Sequence, residues 1–479
     1  MLMAARRAPI RLLLFSTVLG VGAGAAETPQ VDSAKLERIR DAAMADDWAY
    51  SRLAELTDRI GPRPAGSPQL AAAITQVADA MRSLGARVTL QPAKVPHWVR
   101  GEETAELVEY PHRPAGITQH LRLTALGGSS ATAPKGLTAP VVVVRNLSEL
   151  RARASEVRGS IVVFDAHFDQ RLADNGQAGI AYRTAGLYRF QGPSAAAELG
   201  AAAALLRSVG GADFRLPHTG GTVFKNGQTA IPSAALAAED ADLIARLAAT
   251  GPVTMTLVLT PKTLPDADSA NVIADWPGRE KPDEYVIVSG HLDSWDLATG
   301  ATDDGVGAMA AAGVIAVLKR LDLHPQRTVR FIGWTSEENG AQGAQAYVAS
   351  VNAAIDKQFA AIESDEGAGR ALGVNAAVTL DSIPRLRPVL DALGPIGAVV
   401  LERHDDGLGS DISLLQRAGV PGFSPLVDAR HYFDYHHTAA DTLDKVDPQN
   451  LRTQIATMAV LAYYLADMPG PLARFKPVE

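Results

Sequence analysis

The sequence predicts an α/β protein: a mostly parallel or mixed β-sheet with helices on both faces, interrupted by an inserted β-rich domain. The chain has 479 residues, more than one hydrophobic core usually serves, so two domains are expected. After Asn271, apolar strand-like runs alternate with helical runs, which is typical of a parallel sheet. Between residues 118 and 262, short β-branched runs replace that alternation. We therefore expect a first domain of residues 33–117 and 271–470 and a second domain of residues 118–262.

The N-terminal segment, residues 1–26, has the layout of a secretory signal peptide. Three arginines precede an apolar run over residues 12–21, and small residues follow up to Ala26. The run is shorter than the roughly 20 residues that a membrane span needs. We expect cleavage near Ala25 or Ala26 and a periplasmic or secreted protein with no membrane partner after cleavage.

The first domain is predicted to begin with helices over residues 33–84, which break at GPRPAGS, and to continue with the strand ARVTLQPAKV. Beyond Asn271, the strand EYVIVSG precedes the helix DGVGAMAAAGVIAVLKRL, the strand TVRFIGW precedes the helix AQGAQAYVASV, and QFAAIES precedes a loop. In such sheets, ligands bind beyond the carboxyl ends of the strands.

The inserted block contains three strand-like runs, APVVVV, GSIVVF and VTMTLVL. Between them, the alanine-rich run SAAAELGAAAALLRSV is predicted to be helical, and the polar run PKTLPDADSA is predicted to mark the end of the block.

Composition excludes some kinds of site. The formal net charge is −8 and no block of lysines and arginines occurs, which argues against a nucleic-acid partner. The chain has no cysteine, so a bound metal must use histidine and carboxylate ligands.

Acidic residues and histidines cluster where the predicted strands end. Each group alone has an ordinary explanation, such as a helix cap or a solvated loop. Together they would meet at one edge of the sheet, where their charges would repel unless cations lay among them. The groups are His291 and Asp293; Asp303 and Asp304; Glu337 and Glu338; Asp365 and Glu366; and His436, His437 and Asp441.

Histidine and carboxylate ligands without thiolates suit zinc, with manganese or cobalt as substitutes. Five side chains exceed the needs of one tetrahedral ion, and a bridging carboxylate would allow two ions about 3.5–4 Å apart. An unbound glutamate beside a ligand would be free to act as a general base.

These motifs resemble the M28 family of co-catalytic zinc metallopeptidases, in its carboxypeptidase Q-like (plasma glutamate carboxypeptidase-like) branch. The resemblance spans about residues 35–465 and rests on GHLDSWD with ATDDGVG, TSEENGAQGA, ESDEG, SDISLLQRAGVPG and HHTAADT, and on the N-terminal IGPRPAGS and KVPHWVRGEE.

The resemblance implies roles for individual residues. His291 and Asp365 would bind the first of two zinc ions and Glu338 and His437 the second, with Asp303 as the bridge. Glu363 competes with Asp365 for its place. Glu337 would be the general base, and His436 stands where some relatives have a tyrosine that steadies the oxyanion.

Two further acids are expected to support these groups. Asp293, two residues past His291, is placed to accept the second imidazole N–H and fix the tautomer, or else to cap the loop. Asp304 is expected to cap a helix beginning at Gly305.

The resemblance implies an exopeptidase acting on dipeptides or short peptides, a possible homodimer, and an insert like the protease-associated (PA) domain. Arg370 or Arg430 could bind a substrate carboxylate, and Glu366 or Asp406 an amine, so aminopeptidase and carboxypeptidase polarity both stay open. Alternatives are a glutaminyl-cyclase-like zinc acyltransferase, which would use one zinc, and a non-catalytic peptide-binding protein. An M20-type peptidase is disfavoured because its second domain would follow the Glu-Glu pair.

Overall fold

The computed structural model of the chain describes residues 10–12 and 31–478, so the predicted leader lies outside the described residues apart from one short strand. The strands are β1 (Ile10–Leu12), β2 (Arg87–Val99), β3 (Glu103–Glu109), β4 (Gln119–Leu121), β5 (Leu123–Ala125), β6 (Leu137–Val144), β7 (Ile161–Phe164), β8 (Ala203–Arg207), β9 (Ser233–Leu236), β10 (Thr254–Leu259), β11 (Lys262–Trp276), β12 (Lys281–His291), β13 (Arg327–Trp334), β14 (Gln358–Glu363), β15 (Ala371–Ala377), β16 (Val400–Arg403) and β17 (Gly422–Val427).

The helices lie between these strands and at both ends of the described chain. They are α1 (Ser33–Met44), α2 (Trp48–Glu55), α3 (Pro68–Leu84), α4 (Leu147–Ala152), α5 (Ala154–Val157), α6 (Gln170–Asp174), α7 (Ala178–Glu198), α8 (Ala238–Ala248), α9 (Val306–Leu321), α10 (Gln342–Val351), α11 (Arg387–Leu393), α12 (Ser413–Arg417), α13 (Tyr432–Tyr435) and α14 (Pro448–Asp467).

The larger sheet has nine strands in the described residues, in the order β1-β16-β15-β17-β14-β12-β13-β11-β2. Its centre is parallel: β12 pairs in parallel with β13 and β14, and β14 pairs in parallel with β17. The strands β11 and β2 extend it as an antiparallel pair on one side. The carboxyl ends of the four central strands therefore meet at one edge, and the predicted α/β class is confirmed.

Alternation along β12 divides the core between the two faces of this sheet. Val286 and Val288 pack with residues of α1, α3, α9 and α14, whereas Ile287 packs with residues of α10 and α12 on the opposite face. A strand with apolar residues on both faces must be covered on both faces, as a parallel sheet requires. The segment Ala301–Leu321 is apolar and long enough to cross a membrane, but its residues up to Leu318 are buried within this core.

The second sheet has eight strands in the described residues, in the order β4-β3-β10-β6-β7-β8-β9-β5. It already includes β3, so it begins before the predicted boundary at residue 118. The polar run PKTLPDADSA, predicted to mark the end of the block, follows β10 and forms the first part of β11, which pairs with β2 in the larger sheet. The chain crosses between the sheets twice, side by side: Thr260 N–H donates to Glu102 O at 3.0 Å and Glu102 N–H donates to Thr260 Oγ1 at 2.7 Å.

The predicted alanine-rich helix over SAAAELGAAAALLRSV was wrong in its second half. Helix α7 ends at Glu198, Gly200 takes a φ of +81°, and β8 begins at Ala203. All residues of β8 are buried between β7 and β9 in parallel pairing. Alanine favours helices in isolation, but burial in the middle of a sheet overrides that preference.

Candidate metal centre

The sheet edge brings the predicted ligands together from distant parts of the chain. His291 is the last residue of β12, and Asp303 lies in the turn before α9. Glu338 follows β13, Asp365 follows β14, and His437 follows α13, which comes after β17. The carboxyl ends of three neighbouring parallel strands and the segment beyond a fourth therefore supply the site.

The first group contains His291, Asp303 and Asp365, whose ligand atoms lie close enough to hold one ion. His291 Nε2 lies 3.2 Å from Asp303 Oδ1 and 3.6 Å from Asp365 Oδ1. His291 is almost entirely buried.

The second group contains Asp303, Glu338 and His437. His437 Nε2 lies 3.0 Å from Asp303 Oδ2 and 3.0 Å from Glu338 Oε2. Asp303 therefore belongs to both groups, with one carboxylate oxygen facing each histidine.

The donor atoms fit a cation. Asp303 Oδ2 and Glu338 Oε1 are buried and accept no hydrogen bond from the described residues. Burial raises the pKa of Glu338 to about 8, and the nearby Asp303 carboxylate adds to the rise. Burial likewise raises the pKa of Asp365. Crowded, desolvated carboxylates of this kind are stabilised by bound metal.

The comparisons with known proteins follow this geometry. The family model of "Peptidase family M28" matches residues 271–462. Human carboxypeptidase Q is 38% identical over 432 residues, which cover 90% of this chain and 88% of the human protein. The chain belongs to peptidase family M28.

Solved structures of M28 peptidases share the fold. The peptidase M28 precursor from Shewanella amazonensis SB2B has a TM-score of 0.86 at 35% identity, covering 93% of this chain and 99% of that chain. A zinc aminopeptidase from Bacillus subtilis has a TM-score of 0.63 at 21% identity, covering 89% of this chain and 97% of that chain. The prediction that the protein is a metallopeptidase of this family is confirmed, and its relatives support an exopeptidase.

In this M28 peptidase, Asp293 contacts His291 in a different way from the one expected. The imidazole Nδ1 lies 2.9 Å from the main-chain oxygen of Asp293 and 3.7 Å from its carboxylate. That carboxylate instead accepts the backbone N–H groups of Glu337 at 3.1 Å and Glu338 at 3.3 Å. Asp293 thus orients His291 through its backbone and fixes the Glu-Glu turn through its side chain.

Asp304 lies before α9, which begins at Val306 rather than Gly305. Its Oδ1 accepts the N–H of Gly307 at 3.1 Å, and its Oδ2 accepts the N–H of His291 at 3.0 Å. One carboxylate therefore ties the start of α9 to the end of β12.

The choice between Asp365 and Glu363 has a structural basis. The Glu363 carboxylate accepts the backbone N–H groups of Ser410, Asp411 and Ile412 at 3.0, 3.2 and 2.8 Å. These bonds occupy both of its oxygens, whereas Asp365 faces His291. The geometry favours Asp365 as the ligand.

Glu337 lies beside the ligands but outside both groups. It is half-buried, and the negative charge of its carboxylate adds to the rise in the pKa of Asp365 that burial causes. That carboxylate is therefore near the reacting centre and free of the two ligand groups.

His436 stacks on His437 with ring centroids 3.6 Å apart, and its Nε2 lies 3.3 Å from Asp303 Oδ2. Burial, together with the adjacent His437, lowers the pKa of His436 well below its usual value.

Several residues that shape the site were not identified from the sequence. Arg63, fully buried, donates to the carbonyls of Leu292 at 2.6 Å, Thr299 at 2.6 Å and Gly300 at 2.9 Å. It thereby holds the loop between β12 and α9. The arginine lies in GPRPAGS, where the sequence signalled only a break between helices.

Further contacts at the site come from loops and from the inserted domain. Asp441 accepts the N–H groups of Thr302 at 2.6 Å and Asp303 at 3.2 Å. Trp295 Nε1–H donates to Glu338 Oε2 at 2.5 Å. A side chain at Gly127 of the inserted domain would overlap the Trp295 ring, so the two domains are in close contact here.

Proposed function

We propose that this M28 peptidase is an exported di-zinc exopeptidase that hydrolyses the terminal peptide bond of dipeptides or short peptides. The supporting observation is the shared position of Asp303, whose two oxygens face His291 and His437. A carboxylate shared by two ligand groups suits two ions about 3.5–4 Å apart. The histidine and carboxylate donors suit Zn²⁺, with Mn²⁺ or Co²⁺ as substitutes.

Each residue then has a role in hydrolysis. Zinc bound at the two groups would lower the pKa of a water molecule and polarise the substrate carbonyl. Glu337 accepts the proton of the attacking water and delivers it to the leaving amine. His436 donates a hydrogen bond to the oxyanion that develops on the carbonyl oxygen.

The Glu337→Gln variant tests this mechanism. We expect kcat to fall by about 10²–10⁴, the usual contribution of a general base, while two zinc ions per chain remain bound. Metal analysis and peptide hydrolysis are measured on the same samples. Glu280→Gln, a solvent-exposed change just before β12, is the matched control and should leave both quantities unchanged.

Near-wild-type turnover in Glu337→Gln would show that another group is the base. One zinc ion per chain, with no hydrolysis of peptides by the wild type, would favour the glutaminyl-cyclase-like alternative and overturn the proposal.

Whether the enzyme acts as an aminopeptidase or as a carboxypeptidase depends on which free terminus of the substrate it binds. The Arg430 guanidinium is paired with the Asp428 carboxylate, with Nε at 2.7 Å from Oδ1, so it is already engaged. Dipeptides blocked at either end separate the possibilities. Cleavage of N-blocked but not C-amidated dipeptides means a carboxypeptidase, and the reverse means an aminopeptidase.

The proposal also includes export and domain identity. Cleavage near Ala25 or Ala26 would release the protein into the periplasm or the medium, and sequencing the mature N-terminus tests this. The PA-like identity of the inserted domain and a homodimeric state are proposed from the family resemblance alone.

A further inference from the structure

The inserted domain reaches the candidate metal centre with two consecutive buried residues, His218 and Thr219. His218 Nε2 lies 3.0 Å from His436 Nδ1, and Thr219 O lies 3.3 Å from His437 Nδ1. The backbone N–H of Thr219 also donates to His437 O at 2.9 Å. Both histidines thus contact the inserted domain through Nδ1, where His437 also lies 3.5 Å from the Arg189 guanidinium, and both face the site through Nε2.

The hydrogen bond between His218 and His436 needs one donor and one acceptor, and the surroundings select the direction. If His436 donated from Nδ1, its Nε2 lone pair would face the Asp303 carboxylate at 3.3 Å, which is repulsive. The remaining proton of His218 would then sit on Nδ1, which is buried without a hydrogen-bond partner in the described chain. A buried unpaired donor is costly. Donation from His218 to His436 removes the repulsion at Nε2 of His436 and leaves His218 Nδ1 as an unpaired acceptor instead of an unpaired N–H.

We propose that His218 is a positioning residue: by donating from Nε2 to His436 Nδ1, it keeps the proton of His436 on Nε2, the nitrogen that faces Asp303 in the candidate metal centre. The part of this inference that concerns the oxyanion rests on the proposed function. The tautomer of His436 follows from the contacts alone.

His218 is held rigidly enough for this task. Its backbone N–H donates to Ser208 Oγ at 2.8 Å, and Ser208 Oγ in turn donates to Leu236 O at 2.7 Å, at the end of β9. The ring of His436 is enclosed by Tyr182 at 5.0 Å and Tyr432 at 4.9 Å between centroids. Neither imidazole can change partner without moving these neighbours.

Two variants of nearly equal shape test the donor. His218→Gln retains an N–H that can reach His436, whereas His218→Met removes it. We expect kcat of His218→Met to fall about 10- to 100-fold, with KM and zinc content unchanged, because an oxyanion donor is lost. His218→Gln should recover much of this loss. His167→Met, on an exposed histidine of the inserted domain, is the control and should behave as wild type.

A double variant shows whether His218 acts through His436. If it does, His218→Met combined with His436→Phe should be no slower than His436→Phe alone, because the shared interaction is already lost. If kcat of the double variant fell by the product of the two single-variant losses, the proposal would be overturned.

Nitrogen NMR of labelled histidine side chains reports the tautomer of His436 independently of catalytic activity. The wild type should show His436 protonated on Nε2, and His218→Met should show a mixture or the Nδ1–H form. An unchanged Nε2–H tautomer in folded His218→Met would overturn the proposal even in an active enzyme. If the tautomer changed as expected but the protein hydrolysed no peptide, the proposed function would be overturned, and the hydrogen bond from His218 to His436 would still be established.

Discussion

Arg63 shows how one residue can fix a site that it never enters. Its guanidinium donates only to main-chain oxygens, including those of Leu292, Thr299 and Gly300. The planar, forked group reaches several carbonyls at once, which a lysine cannot do. Burial lowers the pKa of Arg63 to about 10, so the group stays charged at neutral pH. The loop that supplies Asp303 thus depends on an arginine distant in sequence.

We expect Arg63→Met to lower the free energy of unfolding by at least about 3 kcal/mol, because four main-chain carbonyls lose a donor, two of them in buried hydrogen bonds. Zinc content should fall with it, since the loop positions a shared ligand. Urea unfolding and metal analysis measure the two effects.

Arg59→Met is the matched control for this change. The Arg59 side chain is 74% exposed and should contribute within about 0.5 kcal/mol. Equal losses in the two variants would contradict the role assigned to Arg63.

Residues such as Arg63 and His218 escape sequence analysis for a physical reason. A polar side chain in a loop leaves no periodic signal, and its partners are backbone atoms or residues of another domain. The candidate ligand groups were predictable because their members lie at or beyond the carboxyl ends of neighbouring strands, and the parallel sheet places those ends together. The contact between Asp293 and His291 differs from the expected one for a similar reason. The backbone oxygen of Asp293, and not its carboxylate, lies next to the His291 imidazole.

At the scale of elements, the start of α9 is the most crowded part of the site. A Cβ at Gly307 would overlap Ser364 O and the carboxylate of Asp304. Glycine is needed here because β14 and the helix approach each other through their backbones. The sequence predicted this helix and the strands around it, since their apolar runs are long and bounded by glycines.

We expect Gly307→Ala to lower the free energy of unfolding by about 1–3 kcal/mol, the usual cost of overpacking, and to reduce zinc content. Thermal unfolding and metal analysis provide the measurements.

Gly313→Ala, on the same helix, separates crowding from helix propensity. Its Cβ would meet only side-chain atoms of Ile455, at 3.3 Å, and alanine is the better helix former by up to about 1 kcal/mol. A small change is expected. If the two variants behaved alike, the close approach at Gly307 would not be the cause.

At the scale of the whole molecule, one site is assembled from two domains. Arg100, where the chain crosses between the sheets, donates to both carboxylate oxygens of Asp296 at 2.8 and 2.7 Å. Trp295 packs against Gly127, and His218 contacts His436. The sequence predicted an inserted domain but not its part in the metal centre, because these contacts join residues more than a hundred positions apart.

Metal removal should make stability depend on pH. In the metal-free protein the pKa of Glu338 is raised to about 8 from 4.5, so its stabilising contribution is present below 4.5 and is lost as pH rises through 8. We expect Tm of chelated protein to fall as pH rises from about 4.5 to about 8, while zinc-loaded protein, whose carboxylates remain ionised on the metal, shows less change.

Glu338→Gln removes the titrating group and is the control. Chelated Glu338→Gln should lack most of this fall in Tm. If Tm depended on pH in the same way in the chelated and the zinc-loaded wild type, this would contradict the crowding of charge at Glu338.

The paired crossings at residues 100–102 and 260–261 have a mechanical consequence. Because they lie side by side and are hydrogen-bonded to each other, any swing of the inserted domain relative to the larger sheet would pivot about them. Any swing that widens the gap must part His218 and Thr219 from the two histidines. A peptide admitted by opening would therefore meet an incomplete catalytic apparatus, and bond cleavage would wait until the swing is reversed.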